Sequence, residues 1–210
     1  TFTTLTTPTV SATATISSIT GTTATGGGTI TADGGAAVTA RGVVYGTTTG
    51  SATFSVSSGT GTGTYTSSLT GLTPATIYYV RAFATNSVGT VYGPETSFTS
   101  TATAPILSTT AASSITQNTA SSGGTITSNG GSDITTSGIC WSTSATPTIA
   151  NSKTTNGTTS GTFTSSMTGL ALGTTYYVRA YATNSAGTSY GNEISNKIRI
   201  EFKIGYFIIG

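Results

Sequence analysis

The chain has 210 residues, of which 7 are Lys or Arg, 5 are Asp or Glu, 28 are Gly and none is His. Charged residues make up 6% of it, against about 25% in ordinary soluble domains, so the clustered cations that neutralise nucleic-acid phosphates are missing. With no imidazole and a single cysteine, His-dependent triads, thiolate zinc sites and an intrachain disulfide are excluded.

Thr, Ser, Val and Ile with 10 Tyr and 7 Phe favour strands, and Gly favours turns. No stretch has helical periodicity, so the expected class is all-β. No apolar run approaches the ~20 residues of a membrane-spanning helix. The length suits two domains of roughly 100 residues.

In chain order, residues 1–6 come first. Thr1, Phe2, Thr3 and Thr4 match Ser97, Phe98, Thr99 and Ser100, and each group precedes a proline, Pro8 or Pro105. They read as the end of a preceding repeat. With no basic and apolar leader at residue 1, the chain is expected to be a mature form or a fragment of a longer array.

Residues 7–101 form the first repeat. Strands are expected at 13–16 and 28–31, with a turn at Asp33, Gly34 and Gly35. Further strands are expected at 38–45, 52–56 and 64–69, then a corner at Gly71, Leu72, Thr73 and Pro74. Residues 77–84 are the strand around which the repeat is organised, and 91–98 are the last strand. At period two, Tyr78, Val80, Ala82 and Ala84 share a core face, while Tyr79, Arg81 and Phe83 share the outer one.

Residues 77–87 return almost unchanged as 175–185, which makes 102–196 a second repeat. Tyr45 matches Trp141 at a spacing of 96, and Tyr78 matches Tyr176 at a spacing of 98. Two extra residues therefore lie between these points, in the stretch holding Pro147, Asn151 and Lys153, and insertions of this kind fall in exposed loops.

Leu72, Pro74, Tyr78, Val80, Ala82, Ala84, Asn86 and Gly89, repeated as Leu170, Gly173, Tyr176, Val178, Ala180, Ala182, Asn184 and Gly187, resemble the second half of a fibronectin type III domain. The resemblance implies tandem immunoglobulin-like antiparallel sandwiches, with each Tyr hydroxyl bonded back to the corner before it. The family's core Trp on the second strand has no counterpart; Trp141 lies on the following strand. The Thr/Gly-rich flavour is similar to repeats of large secreted bacterial surface proteins. That implies an extracellular stalk, adhesin or filament, whose partners are neighbouring repeats or subunits.

Catalysis is poorly supplied, and no cofactor or metal is expected. Asp33 and Asp133, and Glu95 and Glu193, read as equivalent pairs, with the aspartates serving turns. Gly26, Gly27 and Gly28 open no helix and make a weak phosphate loop. Cys140 matches Val44 and reads as a small core hydrophobe. Lys153 is a weak candidate for a cross-link to Asn, and Asn156, Gly157 and Thr158 fit a glycosylation sequon.

Two sets carry binding hypotheses. Tyr79, Arg81 and Phe83, with Tyr177, Arg179 and Tyr181, place a guanidinium between aromatics on the outer face. Such a group either stacks on a flat ligand such as a sugar, giving a carbohydrate-binding accessory module, or covers its neighbours and supports the sheet. The second set is in the tail, residues 197–210. There Ile198, Ile200, Phe202 and Ile204 alternate with Arg199, Glu201 and Lys203, the pattern of a strand with one buried face. Donor-strand addition to a neighbouring subunit is one reading; the start of a different domain, or a sequence without native role, are the others.

Overall fold

The computed structural model describes residues 4–199. Every regular element among them is a β-strand, and the chain divides into two compact units, Thr1–Ala102 and Thr103–Gly210.

The first unit contains β1 (Thr9–Thr13), β2 (Thr23–Ala32), β3 (Ala40–Gly46), β4 (Phe54–Ser57), β5 (Gly63–Thr70), β6 (Ile77–Thr85), β7 (Thr90–Tyr92) and β8 (Thr96–Thr99). One sheet has the order β1-β2-β5; the other has β4-β3-β6, with β7 and β8 both paired to β6. Alternation along β6 does what the sequence implies: Tyr78, Val80, Ala82 and Ala84 are buried, while Tyr79, Arg81 and Phe83 are half-buried on the other face. They meet Ile30, Tyr65 and Leu69 of the opposite sheet in one core. The sheets are tightly packed at Gly28, where a Cβ would lie 2.5 Å from the Ala82 Cβ and 2.9 Å from the Tyr65 hydroxyl. The glycine run of β2 is thus a packing device in mid-strand.

Several boundaries differ from the sequence expectation, and the second strand, expected at 28–31, runs from Thr23 to Ala32. The first strand is Thr9–Thr13, not 13–16, because Thr13 ends the ladder and turns its hydroxyl across to the other sheet. There its oxygen accepts the Ala82 N–H at 2.9 Å and donates to the Pro94 carbonyl at 2.5 Å. Residues 91–98 are two strands, broken at Pro94, which has no N–H to give the ladder.

The second unit repeats the plan with β9 (Ile106–Ser113), β10 (Ala120–Ser128), β11 (Thr136–Ser142), β12 (Ser152–Lys153), β13 (Gly161–Met167), β14 (Thr175–Asn184), β15 (Gly187–Tyr190) and β16 (Ile194–Lys197). Its sheets are β13-β10-β9 and β12-β11-β14 with β15 and β16 on β14. The core combines Ile139, Met167, Leu170 and Val178 with Ile198.

Ile198 corrects the assignment of 197–210 as a surplus tail. Lys197 pairs with Thr175 at the end of β16, and the Ile198 N–H donates to the Thr174 carbonyl at 2.9 Å. The Ile198 side chain is 1% exposed in the core of its own domain, so it is not an assembly residue. Ile200, Phe202 and Ile204 lie outside the described residues. At the other end, Thr6, assigned from the sequence to a preceding repeat, is held by the first unit. Its N–H donates to the Gly34 carbonyl, and its own carbonyl accepts from Asn86.

Candidate ligand face and chain-anchoring asparagines

Both corners form. The Tyr78 hydroxyl accepts the Thr73 N–H at 2.9 Å, and the Tyr176 hydroxyl accepts the Ala171 N–H at 3.1 Å. Just beyond β6 and at the end of β14 stand Asn86 and Asn184, both buried. Asn86 Nδ2 donates to the Thr6 and Asp33 carbonyls, and its Oδ1 accepts from the Val88 and Gly89 N–H groups. Asn184 does the same with Thr103, Asn129, Ala186 and Gly187. Each side chain ties the segment that leads into its domain to the β2–β3 or β10–β11 turn and to the hairpin that follows its own strand.

The turns themselves correct one equivalence. Asp33 Oδ1 accepts the Gly35 N–H at 2.9 Å, and its counterpart is Asn129, whose Oδ1 accepts the Gly131 N–H at 3.0 Å. Asp133 is not the match of Asp33. The glutamates do correspond: Glu95 holds the Thr49 hydroxyl and Gly50 N–H, and Glu193 accepts the Thr146 N–H. The Thr49 hydroxyl, then the Gly50 N–H and the Arg81 charge, lower the pKa of the Glu95 carboxyl.

On the outer face the guanidinium groups do not stack on their i±2 neighbours. Arg81 crosses to β7, donating from Nε to the Gly93 carbonyl at 3.0 Å and placing Cζ 5.1 Å from the Tyr92 ring centroid. Arg179 repeats this with Gly191 at 3.0 Å and Tyr190 at 4.7 Å. Tyr92 and Tyr190 are therefore site residues that the sequence reading missed, although their shared spacing of 98 after the organising strands was visible. Tyr79, Arg81 and Phe83 are half-buried, as are Tyr177 and Arg179. Tyr181 is a correction: it is 2% exposed and cannot face a ligand. Its ring lies against Gly138, which faces it across the ladder, and its hydroxyl donates to the Thr154 carbonyl at 2.7 Å.

The two copies differ most at one loop. Tyr45 pairs with Phe54 and Trp141 with Ser152, so the two extra residues of repeat two lie between β11 and β12. In repeat one the shorter loop, 47–53, borders a cleft of about 300 Å³ lined by Val44, Ala52, Tyr79, Arg81, Tyr92 and Glu95. In repeat two the longer loop, 143–151, folds back over the same face. Pro147 is fully buried, with its carbonyl 3.5 Å from Cys140 Sγ, and the Ile149 N–H donates to the Tyr190 hydroxyl at 3.2 Å. Burial pushes the Cys140 thiol up to about 11. Lys153 is exposed and donates to the Ile149 carbonyl. The amide nitrogen of Asn156, where a glycan would attach, donates to the Thr164 carbonyl at 2.6 Å.

Among the described residues no group of three or more Asp, Glu, Cys or His gathers in a metal-binding arrangement, and no helix is long and apolar enough to cross a membrane. No family model matches the sequence, and no curated protein matches it. Among solved structures, the chain is similar to the crystal structure of the chicken CNTN1 FN1-FN3 domains. The TM-score is 0.51 at 13% identity, covering 91% of this chain and 67% of that one. The likeness is one of fold: this chain is an all-β tandem of fibronectin type III-like sandwiches.

Proposed function

We propose that the chain is a non-enzymatic structural and adhesive repeat module of an extracellular, bacterial cell-surface protein or filament, and that each sandwich bears load between its neighbours. A fibronectin type III-like tandem suits a structural or adhesive role in general. The observation that carries the load-bearing reading is the pair Asn86 and Asn184. Each donates one amide hydrogen to the segment leading into the domain, at Thr6 or Thr103, and so fastens it to the end of the organising strand. Segments at the edge of a sandwich open at low free energy unless tied down, and a spacer under tension is pulled first at those segments. The outer arginines support the same reading, because the Nε of each ties the organising strand to the hairpin beside it, Arg81 to Gly93 and Arg179 to Gly191. Its partners are then neighbouring repeats or subunits of the same protein.

Pulling the full chain by its ends should give two separate unfolding steps, and Asn86→Ala and Asn184→Ala should each lower the force of its own step. Steps insensitive to both changes would remove the load-bearing role. Antibody staining of intact cells is the expected result for the location; staining seen only after permeabilisation would overturn it.

A further inference from the structure

We propose that the first repeat, and not the second, carries a binding site for one neutral sugar ring, in the cleft between the β3–β4 loop and strands β3, β6 and β7. The cleft is about 300 Å³, the small end of the ~300–1,000 Å³ usual for ligand sites, which is room for a single ring and not for an extended chain.

Its lining has the mixed character that a pyranose presents. A sugar ring has an apolar C–H face and a rim of hydroxyls that both donate and accept. Val44, Ala52 and the rings of Tyr79 and Tyr92 offer the first a surface. Arg81 and Glu95 offer the rim opposite hydrogen-bonding groups, an all-donor guanidinium and an all-acceptor carboxylate. Both are preset. Arg81 spends Nε on Gly93 and lies on Tyr92, leaving its terminal nitrogens to donate. Glu95 is aimed by Thr49 and Gly50, one bond to each oxygen, and each oxygen keeps further accepting capacity. One positive and one negative group leave the cleft without a net charge, so neither an anion nor a cation is favoured over a neutral ring.

The second repeat shows what fills this space when no ligand is to enter. Its loop is longer by two residues, seats Pro147 over Cys140, and gives its own N–H groups to the tyrosine and the glutamate of the face, Ile149 to Tyr190 and Thr146 to Glu193. At the equivalent place in the first repeat Tyr92 is 45% exposed. The loop difference thus separates one receptive copy from one self-filled copy. The site is additional to load bearing, and its failure would leave that reading untouched.

Amide shifts of the isotope-labelled full chain, titrated with the methyl glycosides of glucose, galactose, mannose and N-acetylglucosamine, test this directly. At least one glycoside should give saturable shifts at Gly50, Ala52, Tyr79, Arg81 and Tyr92, with none at Tyr177, Arg179 or Tyr190. Replacing residues 47–53 by 143–151, which changes only an exposed loop, should abolish saturation while the core amides of β6 keep their positions. Arg81→Lys should weaken it by losing the planar fork. No saturable shift with any of the four, equal shifts in both repeats, or tighter binding of glucuronic acid or glucosamine than of every neutral glycoside would each overturn the proposal.

Discussion

Single hydroxyl and amide groups decide how firmly each domain closes. The Tyr78 hydroxyl is the acceptor for the Thr73 N–H at the corner, and Tyr78 is buried. Tyr78→Phe leaves that donor without its partner and should cost repeat one about 1–3 kcal/mol, read from its urea midpoint. Tyr79 sits on the outer face, and Tyr79→Phe should cost under about 0.5 kcal/mol. Equal effects would contradict the burial of one face over the other. Asn86 has more at stake, because both its amide hydrogens and its oxygen are engaged. Asn86→Ala orphans groups on three segments at once, and a loss of about 3 kcal/mol or more is expected. Asn86→Asp keeps the acceptor and removes the donors, so it should lose the bonds to Thr6 and Asp33 and retain those of the hairpin. Hydrogen exchange at Thr6 and at Val88 would separate the two.

At the level of the strand, β8 and β16 show how one face can be anchored at either of two positions. In repeat one Phe98 points inward and stacks on Tyr78, centroids 5.7 Å apart, while Ser100 two residues on bonds the Thr73 carbonyl at 2.6 Å. In repeat two Asn196 pairs with Tyr176 in place of Phe98, and the apolar anchor has moved two residues along the same face to Ile198. Ile198→Ala should therefore cost repeat two about 2–5 kcal/mol, as for other fully buried aliphatic residues, with repeat one unchanged. Sedimentation of the chain without residues 200–210 tests the assembly role read for Ile200, Phe202 and Ile204: a size unchanged from that of the full chain would remove it. The move from Phe98 to Ile198 is why the tail reads as foreign in sequence: the two repeats share the inward face and not the position of its apolar anchor. The two faces of β6 and the corner tyrosines were legible because period-two alternation and the repeat itself mark them. The depth of Tyr181 was not, since alternation tells which face a side chain takes and not what covers it. Nor was the partner of Arg81, which lies on a neighbouring strand and follows from pairing rather than from spacing along β6. The two-residue insertion was legible as a loop; that the loop fills a cleft needed the register of β4 and β12.

The whole chain carries few charges, and its two units keep separate cores, so its response to pH comes from individual buried groups in each. In repeat one the Tyr65 phenol, buried against β3 and β6, titrates above its ordinary value because burial disfavours the anion. In repeat two burial raises the Cys140 thiol from 9.0 to about 11. Both are acids whose folded pKa exceeds the unfolded one, so between the two values the folded state holds the proton and the unfolded state has released it. Stability is then complete below the unfolded pKa and falls as pH rises toward the folded one. For repeat two the window opens near pH 9 and closes near pH 11, and a shift of that size corresponds to at most about 3 kcal/mol. Val44 occupies the matching position in repeat one, pairing with Arg81 as Cys140 pairs with Arg179, so Cys140→Val is the conservative way to remove the thiol. Urea unfolding of the full chain between pH 8 and pH 11 should show repeat two losing stability across this window in the native sequence, and a flatter profile for that transition in Cys140→Val. The transition of repeat one should be the same in both. Native Cys140 should also react with iodoacetamide at pH 8 far more slowly than in urea. A thiol that labels equally fast in the folded chain, or a pH profile unmoved by Cys140→Val, would mean that Pro147 and its loop do not seal the sulfur.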